Sequence, residues 1–353
     1  MKHTHPLPPV NDPARRGALR ALSALTALTA LQGLRPAWAA EGPVLDELLS
    51  DPARGGRPLP VKLRLPVGDG PWPWVVHSHG LGGSRDGGAA WGRAWAGAGV
   101  AVLHVQHPGS DRDTLREGMP ALRAAASGEQ LLARVGDVAF VLDEAARRAR
   151  SGSLWAQLRA DAVGVSGHSF GAHTVQAVAG QRFAAAGVAA ATGDPRPRAF
   201  VAFSPSPGGR AEARNDAARA FGGMARPFFS VTGSLDANPL AGRGQERDDG
   251  YYRTQVYDGL PAGAKALLWL EGADHASFGG GTGPSAQVSR RRDAAVLAAE
   301  PAHQVLIAGL TALWWRWRLS NDAAADAALR ALATGQAAGG LGPVIAPDRL
   351  VLG

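Results

Sequence analysis

The sequence predicts an α/β protein with a doubly wound, mostly parallel sheet. Short apolar runs suited to buried strands alternate with segments whose apolar residues recur at helical spacing. Several runs are apolar almost throughout, as expected of parallel strands covered on both faces. Two runs lead into glycine-rich turns, and one of these turns holds a serine between two glycines. Together these observations predict a sheet whose chemistry lies at the carboxyl ends of its strands.

The predicted elements follow one another along most of the chain. Strands are expected at residues 59–65, 73–78, 100–104, 162–165, 199–203, 227–232 and 265–270. Helices are expected at residues 91–99, 130–150, 172–179, 212–221 and 301–319. Because the segments between the late strands are short, we expect no large cap domain. The polar stretch at residues 106–127 is expected to cover part of a pocket, and whether it moves as a lid stays open.

Composition narrows the possible classes of function. The 353 residues suffice for one large α/β domain, and the lack of cysteine excludes a thiol nucleophile, disulfides and a lipoprotein anchor. The net charge is +7, but the basic runs at residues 147–150 and 289–292 contain no aromatic side chains. They are typical of solvated helix faces, with the binding of an anionic group as the alternative, and we expect no nucleic-acid partner. The tryptophans at 314–317 are expected to pack on the sheet, with a membrane-interface role as the alternative.

The first 39 residues have the features of an export signal. Arg15 and Arg16 precede a mildly apolar stretch at residues 18–34, and an Ala-x-Ala cleavage site ends at Ala39. The paired arginines resemble the twin-arginine type, although Ala18 stands where phenylalanine is often found. An N-terminal amphipathic helix is the alternative.

We therefore expect an exported protein, periplasmic or extracellular. Its organisation would be an export signal at residues 1–39, a folded domain at 40–335 and a C-terminal tail at 336–353. No segment after the signal has enough uninterrupted apolar length to predict stable insertion in a membrane. The oligomeric state stays open.

The segment Gly167-His168-Ser169-Phe170-Gly171 lies between a strand-like and a helix-like run. In a strand-turn-helix with this spacing, the serine takes a strained backbone conformation, and the glycines remove side chains that would clash. The pattern predicts Ser169 as a nucleophile. The alternative is an ordinary turn between a strand and a helix.

A second glycine-rich loop, at residues 79–83, follows another predicted strand. Backbone N–H groups in such a loop can stabilise an oxyanion. A dinucleotide-binding loop is excluded because Arg85 stands where the last glycine is needed, and a phosphate loop lacks its Gly-Lys-Ser/Thr ending. A metal site at His77 and His79 stays open as the alternative, although the zinc-hydrolase pattern requires Asp at 81 and Leu81 is there.

Loops after successive strands carry Ser169, then Asp236, then His275. Serine needs a base to become a nucleophile, and the base needs a carboxylate to fix its tautomer, so His275 is predicted as the base and Asp236 as its partner. The backbone N–H groups of Leu81 and Phe170 are expected to form the oxyanion hole. The other acids considered were Asp194, Asp258, Glu271 and Asp274, and the residues expected to face the substrate are His79, Gly80 and His168.

Four segments carry a family resemblance: Asp51-Pro52-Ala53-Arg54, His79-Gly80-Leu81-Gly82-Gly83, Gly167-His168-Ser169-Phe170-Gly171-Ala172 and Ala273-Asp274-His275. Together they resemble the dienelactone-hydrolase-like branch of the α/β-hydrolases, which is related to platelet-activating-factor acetylhydrolases and, more distantly, to polyester-cleaving cutinase-like enzymes. The resemblance covers about residues 44–332. It implies the α/β-hydrolase fold and a serine hydrolase, and we expect no cofactor and no metal.

Two departures from the family pattern matter. Dienelactone hydrolase uses a cysteine nucleophile, which this chain lacks, so lactone specificity is not implied. The acetylhydrolases place their acid one strand earlier, where Phe203-Ser204-Pro205 stands, so Asp236 follows the more usual arrangement.

The expected function is hydrolysis of carboxylic esters through an acyl-enzyme. A small or polymeric ester is the expected partner. Polyester or lipid-ester cleavage is the alternative within this class, and a metallohydrolase or a non-catalytic binding protein is the alternative outside it.

Overall fold

The computed structural model describes residues 42–150, 152–183, 192–207, 217–239, 250–281 and 292–353. The predicted export signal lies outside the described residues, as does the first part of the helix predicted at 212–221. The described strands are β1 Val44–Asp51, β2 Arg57–Arg64, β3 Trp72–Ser78, β4 Ala101–Val105, β5 Leu158–His168, β6 Ala199–Phe203, β7 Phe228–Leu235, β8 Lys265–Asp274 and β9 Arg349–Leu352.

All of these strands belong to one sheet, in the order β1-β2-β4-β3-β5-β6-β7-β8-β9. The pairings from β4 through β3, β5, β6 and β7 to β8 are parallel. The outer pairings, β1 with β2, β2 with β4, and β8 with β9, are antiparallel. This confirms the predicted mostly parallel sheet.

Helices cover both faces of the sheet. They are α1 Ala89–Gly97, α2 Arg112–Arg116, α3 Met119–Ala124, α4 Gly128–Arg148, α5 Phe170–Ala179, α6 Ala217–Phe221, α7 Thr254–Gly259, α8 Ala294–Ser320 and α9 Ala323–Ala333. Two core clusters separate the layers: α1, α8 and α9 pack on one face, and α4 to α7 pack on the other. Along β3, Val75 belongs to the first cluster while Trp74 and Val76 belong to the second, as the alternation of strand side chains requires.

The long helix α8 lies against the sheet through two fully buried tryptophans, Trp314 and Trp315. Trp315 meets Trp95 of α1 edge to face with 5.7 Å between ring centroids, and Trp314 lies 5.2 Å from Phe229 of β7. Among the described helices, α8 alone is long and apolar enough to cross a bilayer, but half of its most apolar window is buried inside the protein. That burial is usual for a core helix.

The end of the chain differs from the prediction, which placed a tail at residues 336–353. Strand β9 pairs with β8 through four residue pairs and closes that edge of the sheet. Leu341, Val344 and Leu350 join the core cluster beneath α8 and α9. The folded domain therefore continues past residue 335. The glycine-rich stretch before β9 concealed its short apolar alternation in the sequence.

Residues 106–127 are also more regular than the prediction, because they contain α2 and α3. Their start is bound to the glycine-rich loop that follows β3. Gly82 N–H donates to Ser110 O at 2.9 Å, and Arg112 N–H donates to Gly83 O at 2.7 Å. This part of the segment is held to the sheet edge by backbone hydrogen bonds.

Candidate active site

Ser169 lies at the sharp turn between β5 and α5. Its backbone has φ 57° and ψ −116°, a strained region for a residue with a side chain. The turn is possible because Gly167 and Gly171 have no Cβ: one at 171 would collide with Ser78 O, and one at 167 with the carbonyl of residue 171. The glycine spacing seen in the sequence therefore has the steric cause that was predicted for it.

Three side chains from different loops converge at this turn, and we call them the elbow triad: Ser169, His275 and Asp236. His275 opens the 3₁₀-helix that follows β8, and Asp236 follows β7. The distance from His275 Nε2 to Ser169 Oγ is 2.9 Å, and that from His275 Nδ1 to Asp236 Oδ1 is 2.7 Å. Nδ1–H donates to the carboxylate, so Nε2 is free to accept the serine proton.

Asp236 is fully buried and surrounded by donors. Thr232 Oγ1 donates to Oδ2 at 2.8 Å, and Arg253 Nε lies 2.9 Å from Oδ1. Burial alone would raise the pKa of Asp236, but the Arg253 charge and the hydrogen bond from His275 outweigh it and lower the pKa to about 2. The carboxylate is therefore ionised at neutral pH. Sequence reasoning missed Arg253, because nothing in its local sequence marks it.

The predicted oxyanion donors lie beside the serine. A Cβ built on Gly80 would be 3.4 Å from Ser169 Cβ, so the loop after β3 passes close to the nucleophile. Phe170 is the first residue of α5, where N–H groups have no partner within the helix. Within the described part of the chain, the amides of Leu81 and Phe170 donate to no protein acceptor. Both are available to an oxyanion.

A buried arginine on α4 holds this loop from behind. Arg134 is fully buried, and its Nη1 donates to His79 O at 2.7 Å. Its Nε donates to Ser110 Oγ at 2.8 Å, and its guanidinium lies 4.4 Å from the centroid of the Phe170 ring. Burial lowers the pKa of Arg134 to about 9, which leaves it charged at neutral pH. Sequence periodicity placed α4 correctly but gave no sign of this inward-facing charge.

A second serine, histidine and aspartate lie behind the same loop, and we call them the buried triad: Ser78, His107 and Asp137. Ser78 Oγ is 2.9 Å from His107 Nε2, and His107 Nδ1 is 2.9 Å from Asp137 Oδ2. All three side chains are fully buried. Asp137 also pairs with Arg57 and Arg54, each at 2.8 Å.

The pKa shifts in the buried triad fit a fixed structural role. Burial lowers the pKa of His107 to about 4, so the imidazole is neutral at pH 7. Burial alone would raise the pKa of Asp137, but hydrogen bonds from His107 and Arg57 hold it well below its usual range. A neutral histidine with both ring nitrogens engaged links β3 to α4.

Two of the residues expected to face the substrate have other tasks. His79 is 2% exposed, its Nδ1–H donates to Gly80 O at 2.6 Å, and its Nε2 accepts from the His107 N–H at 3.0 Å. Its ring therefore has no nitrogen left for a substrate, because both are needed to hold the loop. His168 Nε2–H donates to His275 O at 3.0 Å and so holds the backbone of the predicted base. Gly80 does lie beside Ser169.

His77 and His79, the two ligands of the alternative metal site, have different neighbours. His77 Nδ1 lies 2.9 Å from Ser166 Oγ, and its ring packs edge-on against Trp95 of α1. His79 packs against His107 instead, with ring centroids 5.3 Å apart. In the described ranges, no three His, Asp or Glu side chains are grouped so as to hold a metal ion.

Two of the other candidate acids, Asp274 and Asp194, pair with arginines away from His275. Asp274 caps the 3₁₀-helix that His275 opens and pairs with Arg292 at 2.8 Å. Asp194 pairs with Arg196 at 2.6 Å. The carboxylate in contact with His275 is that of Asp236.

Comparisons with known proteins bear on the fold. No protein-family model matches the chain, and no curated protein does. Among solved structures, it is similar to a ferulic acid esterase from Streptomyces cinnamoneus, with 18% identity, a TM-score of 0.50 and coverage of 80% of this chain and 93% of that chain. It also matches a 2,6-dihydroxy-pseudo-oxynicotine hydrolase, with 18% identity, a TM-score of 0.48 and coverage of 79% of this chain and 69% of that chain.

The similarity to the esterase structure and the order of the strands indicate the same fold. The chain has the α/β-hydrolase fold that the family resemblance implied, with no large cap domain in the part of the chain that the structure describes.

Proposed function

We propose that the protein is a serine hydrolase that cleaves carboxylic esters through an acyl-enzyme. The observation that carries this proposal is the convergence of the elbow triad at a strained turn, with His275 Nε2 2.9 Å from Ser169 Oγ. A base within hydrogen-bond reach is what a serine hydroxyl needs to attack a carbonyl carbon near neutral pH.

The reaction has two halves. Ser169 Oγ bonds to the ester carbonyl carbon while its proton passes to His275 Nε2. The carbonyl oxygen becomes an oxyanion that accepts from the amides of Leu81 and Phe170. The C–O bond to the alcohol then breaks, and the alkoxide takes the proton from His275. A water repeats the sequence on the acyl-enzyme and releases the carboxylic acid.

Asp236 keeps the imidazole in the tautomer that this cycle requires. It also stabilises the imidazolium that forms in each half. Its charge persists throughout, since its pKa is lowered to about 2.

Turnover of p-nitrophenyl acetate tests the proposal. The Ser169→Ala variant should lose at least about 10⁴-fold in kcat, because the nucleophile is removed while the surrounding donors remain. The Thr254→Ala variant is a matched control, since Thr254 Oγ1 donates to Tyr251 O in another turn and meets no triad residue. Retained turnover in Ser169→Ala, with circular dichroism unchanged, would refute the proposal.

The acyl group is proposed to be short, or the end of a polymer. No large cap domain covers the sheet edge in the described part of the chain, so the site is open to a short acyl group or a polymer end. Leu115 of α2 and Leu122 of α3 lie against Gly82, where a Cβ would be 3.4 and 3.2 Å from them, so the glycine-rich loop after β3 has apolar neighbours. A series of p-nitrophenyl esters from acetate to palmitate tests this. Falling kcat/KM beyond butyrate supports a short acyl site, whereas a maximum at long chains supports the lipid-ester alternative.

Export is proposed from the sequence at residues 1–39 alone. The N-terminus of the mature protein should be Ala40, which N-terminal sequencing of secreted or periplasmic protein would detect. Replacing Arg15 and Arg16 by lysine should retain the precursor inside the cell if the twin-arginine route is used. An uncleaved N-terminus on exported protein would contradict the assignment.

A further inference from the structure

Arg253 lies directly behind the elbow triad. It ends the 3₁₀-helix Gly250–Arg253 and is 3% exposed. This turn approaches β7 so closely that a Cβ on Gly250 would collide with Gly233 O. The close packing fixes where the arginine side chain can reach.

The guanidinium joins the loops that follow β6 and β7. Nε donates to Asp236 O at 2.7 Å, and Nη1 donates to Ser204 O at 2.9 Å. Nη2 donates to Ala237 O at 3.3 Å and lies 3.3 Å from His275 Nδ1. An arginine has donors only, and Nδ1–H already donates to Asp236 at 2.7 Å, so the contact of Nη2 with the imidazole is one of charge.

One oxygen of the Asp236 carboxylate contacts both Arg253 and His275. Oδ1 is 2.9 Å from Arg253 Nε and 2.7 Å from His275 Nδ1. Because Arg253 Nε also donates to the backbone O of Asp236, the guanidinium contacts both the main chain and the side chain of this residue. A carboxylate held in this way keeps its oxygen in line with Nδ1 while the imidazole takes up and returns a proton.

The other polar groups around the imidazole have other partners. His168 Nε2–H donates to the backbone O of His275 at 3.0 Å. On the same element, Asp274 is paired with Arg292 at 2.8 Å. Arg253 is the described cation in contact with the ring of His275.

We propose that Arg253 is a positioning residue of the esterase: it fixes the Asp236 carboxylate for His275 and joins the loops that follow β6 and β7. This inference rests on the proposed function. Arg253 touches neither substrate nor reacting atoms, so its effect passes through Asp236 and the imidazole.

Three variants separate charge from geometry. Arg253→Met removes the charge and the donors at similar length. Arg253→Lys keeps the charge but loses the fork of donors. Thr232→Val removes the other side-chain donor to Asp236, at Oδ2, without changing any charge. For each variant, kcat and KM for p-nitrophenyl acetate are measured separately at neutral pH.

In Arg253→Met, kcat should fall about 10- to 100-fold, because the Asp236 carboxylate is no longer held for His275. In Arg253→Lys, kcat should fall less than in Arg253→Met, because a charged donor remains beside Asp236. In Thr232→Val, kcat should also fall less than in Arg253→Met, because the contacts of Arg253 remain. KM should change less than about twofold in all three, because none of these residues touches substrate. If Arg253→Met does not fold, Arg253→Gln carries the same prediction.

A kcat in Arg253→Met within about twofold of the wild type overturns the inference and leaves the proposed function standing. A KM that rises as kcat falls also overturns it, since Arg253 would then act on substrate binding. Failure of the proposed function itself is distinguishable, because Ser169→Ala would then remain active.

Discussion

The elbow triad and the buried triad have the same three residue types joined in the same way, with serine-to-histidine distances of 2.9 Å in both. Each aspartate also pairs with arginine, Asp236 with Arg253 and Asp137 with Arg57. What differs is the serine. Ser169 is at a strained turn beside two unbonded amides, whereas Ser78 is a fully buried residue at the end of an ordinary strand.

The comparison teaches that the chain of hydrogen bonds does not by itself make a nucleophile. A catalytic serine also needs access to a substrate and donors aimed at the developing oxyanion. The buried triad lacks access, and its neutral histidine links β3, the glycine-rich loop after β3 and α4. We therefore infer that one triad performs the chemistry and the other holds the loop that supports it.

Replacing the two aspartates should separate these tasks most strongly. Asp236→Asn should lower kcat by about 10⁴-fold, because the amide favours the wrong tautomer of His275. Asp137→Asn should lower kcat far less but should reduce the free energy of unfolding by about 1.5–3 kcal/mol, since charged hydrogen bonds to His107 and Arg57 are lost. Steady-state kinetics and urea unfolding of both variants are the measurements. Equal losses of kcat in the two variants would contradict this division of roles between the two triads.

Arg134 tests whether the glycine-rich loop after β3 needs to be held in place for activity. In Arg134→Met, the hydrogen bonds to His79 O and Ser110 are lost, so the loop should shift and kcat should fall about 10- to 100-fold with KM little changed. Arg147→Met on the exposed side of the same helix is the matched control and should keep wild-type kinetics, because Arg147 is two-thirds exposed and pairs with Glu144, away from the glycine-rich loop. An unchanged kcat in Arg134→Met would remove the loop-supporting role.

Buried histidines should make the fold sensitive to acid. Burial lowers the pKa of His104 to about 3 and that of His107 to about 4, below the value of about 6.5 for an unfolded chain. The unfolded state therefore binds protons first, so this contribution to stability is complete above about pH 6.5 and is lost as pH falls toward 4.

Each histidine should lower the free energy of unfolding by about 1.4 kcal/mol per pH unit in that window. Urea midpoints at pH 7, 6 and 5 measure how the free energy of unfolding depends on pH. His107→Gln should reduce this slope by the amount that corresponds to about one proton. A midpoint that does not change between pH 7 and 5 would contradict the neutral buried state.

Ser78→Ala should have the smallest effect. It removes one hydrogen bond to His107 inside the buried triad, which costs about 0.5–1.5 kcal/mol of stability. Esterase activity should stay within about tenfold of the wild type, because the elbow triad is intact. Loss of activity comparable to that of Ser169→Ala would mean that the two triads do not divide the work in this way.

Sequence reasoning found what local pattern and chain order encode. The glycine spacing around Ser169 has a steric cause, and the strands before Asp236 and His275 are apolar enough to recognise, so the sheet order brings their ends together. It did not find Arg253 or Arg134, because an arginine that turns inward has the same local sequence as one in solvent. His79 is predicted from the sequence to face the substrate, because the sequence does not show that its Nε2 accepts from the N–H of His107, far along the chain.

Strand β9 was missed for a related reason. Its four residues make sense only beside β8, more than seventy residues earlier, and a short alternation after a glycine-rich stretch has no helix or hairpin to mark it. Contacts between distant segments decide both the edge of the sheet and the charges behind the site.

The most direct test is to label the protein with a fluorophosphonate and map the adduct by peptide mass spectrometry. We predict one adduct, on Ser169, formed in step with the loss of esterase activity and absent from Ser169→Ala, while Ser78 stays unlabelled. An adduct on another residue, or full esterase activity after Ser169 is labelled, would contradict the assignment of Ser169 as the nucleophile.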